Sequence, residues 1–261
     1  MFSQPFISFF LLIALVVNLI LASSLNIQQD TGALKSKLYS YGSVCDFDDS
    51  PSDDEFLNMV QQAYSDMTEL YKDVKKIDQK PTAMIGLAIG NQVYFSSSVR
   101  SGKGKPIVYE LAAHRGGNGN FNELSEMPDQ YKRVTDALSA CSKDGNSNSQ
   151  HKSNGMCGEI TSTMTWMIDH PDDDIANEKA RVAAWWKNGY LDPCSGDEGT
   201  PVWGCSKWTK EMKYEVVDDN PDREPGFSDP SSTKQVSLDK CTVIAPKGKN
   251  NKGGKRDEEF S

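Results

Sequence analysis

Cys157-Gly158-Glu159-Ile160-Thr161-Ser162-Thr163-Met164-Thr165-Trp166-Met167-Ile168-Asp169 is the stretch on which the reading of this chain turns. Ile160, Met164, Met167 and Ile168 recur at i, i+4, i+7 and i+8, which predicts a helix over 157–169 with one buried face. Pro171 follows two residues after its end, where a helix can no longer continue. Downstream lie Pro193-Cys194 and then Cys205. Cys157, Cys194 and Cys205 with Glu159 are the parts of a metal centre. Three thiolates hold zinc (Zn2+) and leave its fourth position open to water. A carboxylate that is not a ligand can then carry protons. A helix N-terminus favours negative charge, so cysteines placed there are kept as thiolates ready for metal. The plainer role for Glu159 is a carboxylate steadying a helix start.

Working outward, Arg181 to Trp186 read as a short buried strand and Cys205 to Tyr214 as a helix. Before the motif, Phe56, Val60, Ala63, Met67, Leu70 and Val74 predict a helix from Asp54 to Lys76, its apolar stripe a packing face. The clearest hairpin joins 84–89 to 92–95 through Gly90-Asn91, a pair suited to a two-residue turn. Residues Pro106 to Ala113 are a candidate strand, and Arg115 to Asn120 a Gly/Asn-rich loop without the spacing of a phosphate cradle. A helix over 129–142 and a polar loop over 143–153 lead into the motif. Asp218 to Ser232 reads as a loop and Val236 to Pro246 as a last strand. Residues 25–53 read as a loosely ordered acidic lead-in, 54–246 as one domain, and 247–261 as a disordered tail.

Residues 1–24 read as a signal peptide: an apolar run from Phe6 to Val17 is broken only by Ser8, and Ala22-Ser23-Ser24 offers a cleavage point. The expectation is a secreted, extracellular protein with no membrane contact once the signal is removed. The formal net charge of −9 argues against duplex nucleic acid as a partner, since that affinity comes from Lys and Arg against phosphates. A small nucleobase or nucleoside is compatible with it. Six cysteines in an exported chain fit three disulfides as naturally as a metal. If three take zinc, Cys45, Cys141 and Cys241 remain, an odd set.

The order helix, hairpin, strand or loop, motif helix, strand, Pro-Cys turn, helix resembles the cytidine deaminase-like superfamily over roughly residues 80–215. Cys157-x-Glu159 and Pro193-Cys194 match the first parts of its zinc signature. The chain looks like a divergent, secreted member of a kind associated with fungi. The resemblance implies an α/β fold, a three-layer α-β-α deaminase-like sheet with an N-terminal helix. It also implies zinc on Cys157, Cys194 and Cys205, and Glu159 as the catalytic proton carrier in hydrolytic deamination of a nucleobase, nucleoside or related amidine. The departure is that ten residues rather than two separate Cys194 from Cys205. Among the neighbours, His151 reads first as a solvated loop side chain, and second as a substrate contact or replacement ligand. His114 is a weaker pocket candidate. All five tryptophans fall between 166 and 208; Trp203 and Trp208 bracket Cys205 and could wall a planar substrate, with packing as the default. The rival function is a disulfide-stabilised secreted effector or binding protein without catalysis.

Overall fold

The computed structural model describes residues 24–35, 38–101, 132–142, 151–153, 155–197 and 202–238. In chain order these form β1 (Gln28–Gln29), α1 (Thr31–Lys35), β2 (Leu38–Tyr39), β3 (Tyr41–Asp46), α2 (Asp53–Leu70), β4 (Ala83–Ile89), β5 (Gln92–Ser97) and β6 (Arg100–Ser101). They continue with α3 (Lys132–Ser142), α4 (Gly158–Asp169), β7 (Ala180–Trp186), β8 (Gly189–Tyr190), α5 (Cys205–Glu211), β9 (Glu215–Val216) and β10 (Ser232–Lys234). The fold is mixed α/β, with helices packed on a largely antiparallel sheet.

The hairpin forms the middle of that sheet. Ile89 pairs with Gln92 across a two-residue turn, and Gly90 adopts φ +58°, a conformation open to glycine at no steric cost. The sheet runs β1-β3-β5-β4-β7-β8, with β10 added on β3 and β9 on β7. Its pairs are antiparallel except β7 with β9.

β4 is buried along its whole length because both of its faces are covered. Ile85 and Leu87 point into one core with Ile160, Met164 and Met167 of α4. Met84 and Ala88 point into the other with Phe56, Val60, Ala63 and Met67 of α2. The period-2 alternation of β4 thus meets two helical stripes, one on each face. α2 starts on a capping box: the Ser52 hydroxyl accepts from the Glu55 N–H, and the Glu55 side chain accepts from the Ser52 N–H, which satisfies two otherwise orphaned donors.

Three expectations need correction. The lead-in over 25–53 is not loose: it contributes β3, which pairs with β5 and buries Tyr41, Val44, Cys45 and Phe47. α2 ends at Leu70, with Tyr71 as its C-cap, because the predicted stripe has by then run out of core, and Leu70 is 53% exposed. The last strand among the described residues is Ser232–Lys234, which completes the edge of β3 beside β1; residues 236–238 are not strand, and the rest of the expected 236–246 strand lies outside the described residues.

The signal segment, the 106–113 strand, the 115–120 loop, the tail and all but the last residues of the 143–153 loop lie outside the described residues. No helix among the described residues is long and apolar enough to cross a membrane.

Candidate metal centre

Cys157 is the N-cap of α4, in extended conformation and with no side-chain cap bond, so its sulfur is not spent on the helix. Gly158 seats the helix start on the hairpin. A Cβ there would lie 2.2 Å from Ile85 Cδ1 and 2.7 Å from the Ser96 carbonyl oxygen. Only glycine permits that approach. Residues 158–167 are all buried, although the sequence between Glu159 and Thr165 is rich in hydroxyls. Those hydroxyls donate back along the helix: Thr161 to Cys157 and Gly158 carbonyls, Ser162 and Thr163 to Glu159, and Thr165 to Thr161. Buried hydroxyls so satisfied cost little.

The ten-residue departure between Cys194 and Cys205 closes on itself. A Cβ on Gly196 would meet the Val202 carbonyl oxygen at 2.1 Å, and one on Gly204 would meet the Cys194 carbonyl oxygen at 2.0 Å. The two ends of the loop are therefore pinched together through glycine. The Ser206 N–H donates to the Cys194 carbonyl at 3.1 Å, and the Cys205 N–H donates to Cys194 Sγ at 3.2 Å. The insertion lengthens the loop without separating its cysteines.

His151 overturns its first reading. It is 2% exposed, packed edge-on to Trp203 with ring centroids 4.6 Å apart, and bridged to the Trp203 backbone. Its Nδ1 accepts from the N–H groups of Ser153 at 3.0 Å and Gly155 at 3.1 Å. Gly155 has φ +73°, so glycine is what lets this turn bend its N–H back onto the ring. His151 Nε2 lies 3.4 Å from Cys205 Sγ.

One ligand atom each from His151, Cys157, Cys194 and Cys205 lies within 4.8 Å of the others, and the group can hold a metal ion. The Cys157 and Cys194 sulfurs are 4.0 Å apart. Two sulfurs bound at about 2.3 Å to a tetrahedral zinc stand roughly 3.8 Å apart, whereas a disulfide holds them at about 2.05 Å. The spacing is too long for a disulfide and leaves room for a shared ion. No disulfide joins Cys45, Cys141, Cys157, Cys194 and Cys205 to one another, contrary to the disulfide framework. Cys45 and Cys141 are buried in opposite cores. Burial pushes the Cys45 thiol up to about 12, which makes it inert. Cys241 and His114 lie outside the described residues.

The electrostatics of the cluster single out one sulfur as the anion and leave its two neighbours as donors to it. Cys194 is drawn down to about 2, first by hydrogen bonds from the Cys157 and Cys205 thiols, against its own burial, and further by the Cys205 N–H. Cys157 is raised chiefly because its proton serves Cys194, and Cys205 is raised chiefly by burial. Three sulfurs packed beside one another, with Cys157 and Cys205 buried and Cys194 partly so, cannot all be thiolates without a cation to compensate them. Glu159 sits against them, 6% exposed, and is raised to about 7, mostly by burial and further by the Cys194 thiolate, while the Cys205 side chain lowers it by a hydrogen bond. A carboxyl group poised near neutrality can both take and give a proton.

Trp203 and Trp208 are 5% and 0% exposed and belong to the core shared with α4. They do not wall an open pocket. Trp166 stacks on His170 at 5.0 Å. At that end of α4 the Tyr94 hydroxyl meets Asp169 Oδ2 at 2.8 Å, His170 Nε2 at 2.9 Å and Gln92 Oε1 at 2.9 Å, a network that clamps the helix to β5 and carried no signature in the sequence.

No family model matches the chain, and neither a curated protein nor a solved structure does.

Proposed function

We propose that the chain is an exported zinc-dependent hydrolase of the deaminase-like kind, which removes the exocyclic amine of a nucleobase, nucleoside or related amidine. The observation that carries this reading is the convergence of Cys157, Cys194 and Cys205 with His151, beside a buried carboxyl group, Glu159, that the sulfurs perturb. The layout gives further support. The β4–β5 hairpin stands beside β7 and then β9, with α2 and α4 on opposite faces, a layering compatible with the deaminase-like sheet that the resemblance implies. The apolar run at 6–17 supports export.

Zinc, when bound, supplies a Lewis acid that lowers the pKa of a water in its open position toward 7. Glu159 would take one proton from the attacking water and give it to the ring nitrogen, and would then carry the second, from the newly formed C–OH, to the departing amine. A C–O bond forms, the C–N bond breaks, and ammonia leaves for each water consumed. Burial of Glu159 keeps bulk water from competing for that proton. Cys194, with its sulfur oriented by the Cys205 N–H, Cys157 at the α4 N-cap and Cys205 would hold the ion.

Ammonia release from a panel of aminated bases and nucleosides tests the reading. Glu159→Gln is expected to abolish turnover while zinc is retained; full activity in that variant rules out the assigned role. A second reading is favoured by the closeness of His151: all four residues close around the ion as a structural site. The two readings differ in what fills the fourth position.

A further inference from the structure

We infer that His151 is a positioning residue rather than a metal ligand: its ring is fixed as an Nε2–H donor to the Cys205 sulfur, which leaves the fourth metal position to water. The inference rests on the reading of Cys157, Cys194 and Cys205 as zinc ligands, and it decides between an open and a closed centre.

The argument is one of donor and acceptor inventory. A neutral imidazole has one N–H and one lone pair. Two backbone N–H groups, from Ser153 and Gly155, aim at Nδ1 at 3.0 and 3.1 Å. Both are donors, so Nδ1 must present its lone pair, and the proton sits on Nε2. A histidine that ligates zinc through Nε2 has the opposite arrangement, with its Nδ1–H given to a carbonyl or carboxylate. Ligation here would demand a ring stripped of both protons, or the loss of both backbone bonds.

The environment holds the ring in that state. The ring is 2% exposed and pinned edge-on by Trp203. The Lys152 N–H donates to the Trp203 carbonyl at 2.7 Å, and Met156, which follows Gly155, is tied down in turn. Met156 N–H reaches the Ser153 carbonyl at 2.9 Å, and Val99 N–H reaches the Met156 carbonyl at 2.9 Å. From this frame Nε2 points at Cys205 Sγ, 3.4 Å away, a length suited to N–H···S. Cys194 Sγ likewise accepts a backbone N–H from Cys205. Donors to ligand sulfurs draw off part of their charge and fix their direction, as outer partners of metal sites do. Two of the three sulfurs are thus supported by N–H groups, and the vacated vertex is the one chemistry needs.

The test is zinc-edge X-ray absorption and 15N-detected imidazole NMR on the zinc-loaded chain, with His151→Asn as the variant. Asparagine keeps an acceptor for the Ser153 and Gly155 N–H groups and removes the donor to Cys205. Expected are three sulfurs and one light atom without imidazole outer-shell scattering, a His151 ring protonated on Nε2, and an unchanged first shell in His151→Asn with zinc affinity weakened 10- to 100-fold. Imidazole scattering, or a metal-bound Nε2, overturns the inference and leaves the three-cysteine site standing as part of a closed centre. Unchanged zinc affinity in His151→Asn overturns the positioning role. Absence of stoichiometric zinc in the wild-type chain is a different failure, that of the metal reading itself.

Discussion

Gly158→Ala puts the link between packing and chemistry to a direct test. In an ordinary first helical turn, alanine in place of glycine stabilises by up to about 1 kcal/mol. At this position the new methyl would stand 2.2 Å from Ile85 Cδ1 and 2.7 Å from the Ser96 carbonyl oxygen. The Ile85 methyl can swing away, but the Ser96 carbonyl belongs to β5, whose ladder runs between β3 and β4. Restoring an ordinary contact therefore requires the start of α4 to lift by roughly half an ångström or more. Overpacking of this kind costs about 1–3 kcal/mol, which outweighs the propensity gain. The same lift carries Cys157 and Glu159, the two neighbours of Gly158, while metal–ligand distances tolerate only about 0.2 Å. Urea unfolding of the metal-free protein is expected to show a net loss of about 1–2 kcal/mol. Competition with a chromophoric chelator is expected to show zinc affinity down at least about tenfold, or 1.4 kcal/mol. A variant as stable as the wild type or more so, with unchanged zinc affinity, refutes the claim that the hairpin sets the position of the site.

Glu159 makes the metal-free fold sensitive to pH. Its folded value, about 7 against 4.5 when unperturbed, is raised, so its contribution is fully present below about 4.5 and is lost as pH climbs through 7, a span worth about 3 kcal/mol at most. Glu159→Gln should remove that loss, so the stability difference between variant and wild type should widen in the variant's favour from pH 4.5 to 7; parallel curves contradict the burial argument. Asp46, Asp54 and Glu55, all held low by hydrogen bonds, act in the opposite direction in both proteins and cancel in the comparison. Tyr94→Phe removes the hydroxyl shared by Gln92, Asp169 and His170 and is expected to cost about 1–3 kcal/mol in chemical denaturation, without changing zinc affinity, since the network sits at the far end of α4. Ser52→Ala breaks the capping box of α2 and should cost about 0.5–2 kcal/mol; no measurable change would mean that the tertiary contacts of Asn58 with Glu224 and Gly226 hold that helix start by themselves.

The parts of the fold that were legible in the sequence are those with strong periodicity. The stripe of α2 through Met67, the Gly90-Asn91 hairpin, the strand ending at Trp186 and the helix after Gly158 all follow from spacing alone. β3 was not legible, because Gly42, Ser43 and Asp46 dilute its apolar residues and the acidic run begins on its last position. Its burial comes from neighbours far away in the chain, β5 on one side and β1 with β10 on the other. β10, Ser-Thr-Lys, has no apolar residue at all and exists because β3 leaves half an edge unpaired. At the site, the three cysteines could be picked from residue type, but their meeting could not, since the Cys194–Cys205 loop is longer than its pattern. That Gly196 and Gly204 pinch the loop shut is a matter of backbone contact, which residue type alone does not announce. His151 was masked by its polar neighbours, Gln150, Lys152 and Ser153, which signal solvent. The available clue was Gly155 just before the motif, since a turn that bends back on a histidine needs a left-handed residue.

The central claim is that the cysteine cluster is a metal centre, and the most direct measurement is metal content combined with thiol accessibility on protein made through a secretory route. One zinc per chain is predicted, with Cys157, Cys194 and Cys205 shielded from alkylation until a chelator is added. Metal-free protein in which Cys157 and Cys194 are recovered in one disulfide-linked peptide pair would contradict it.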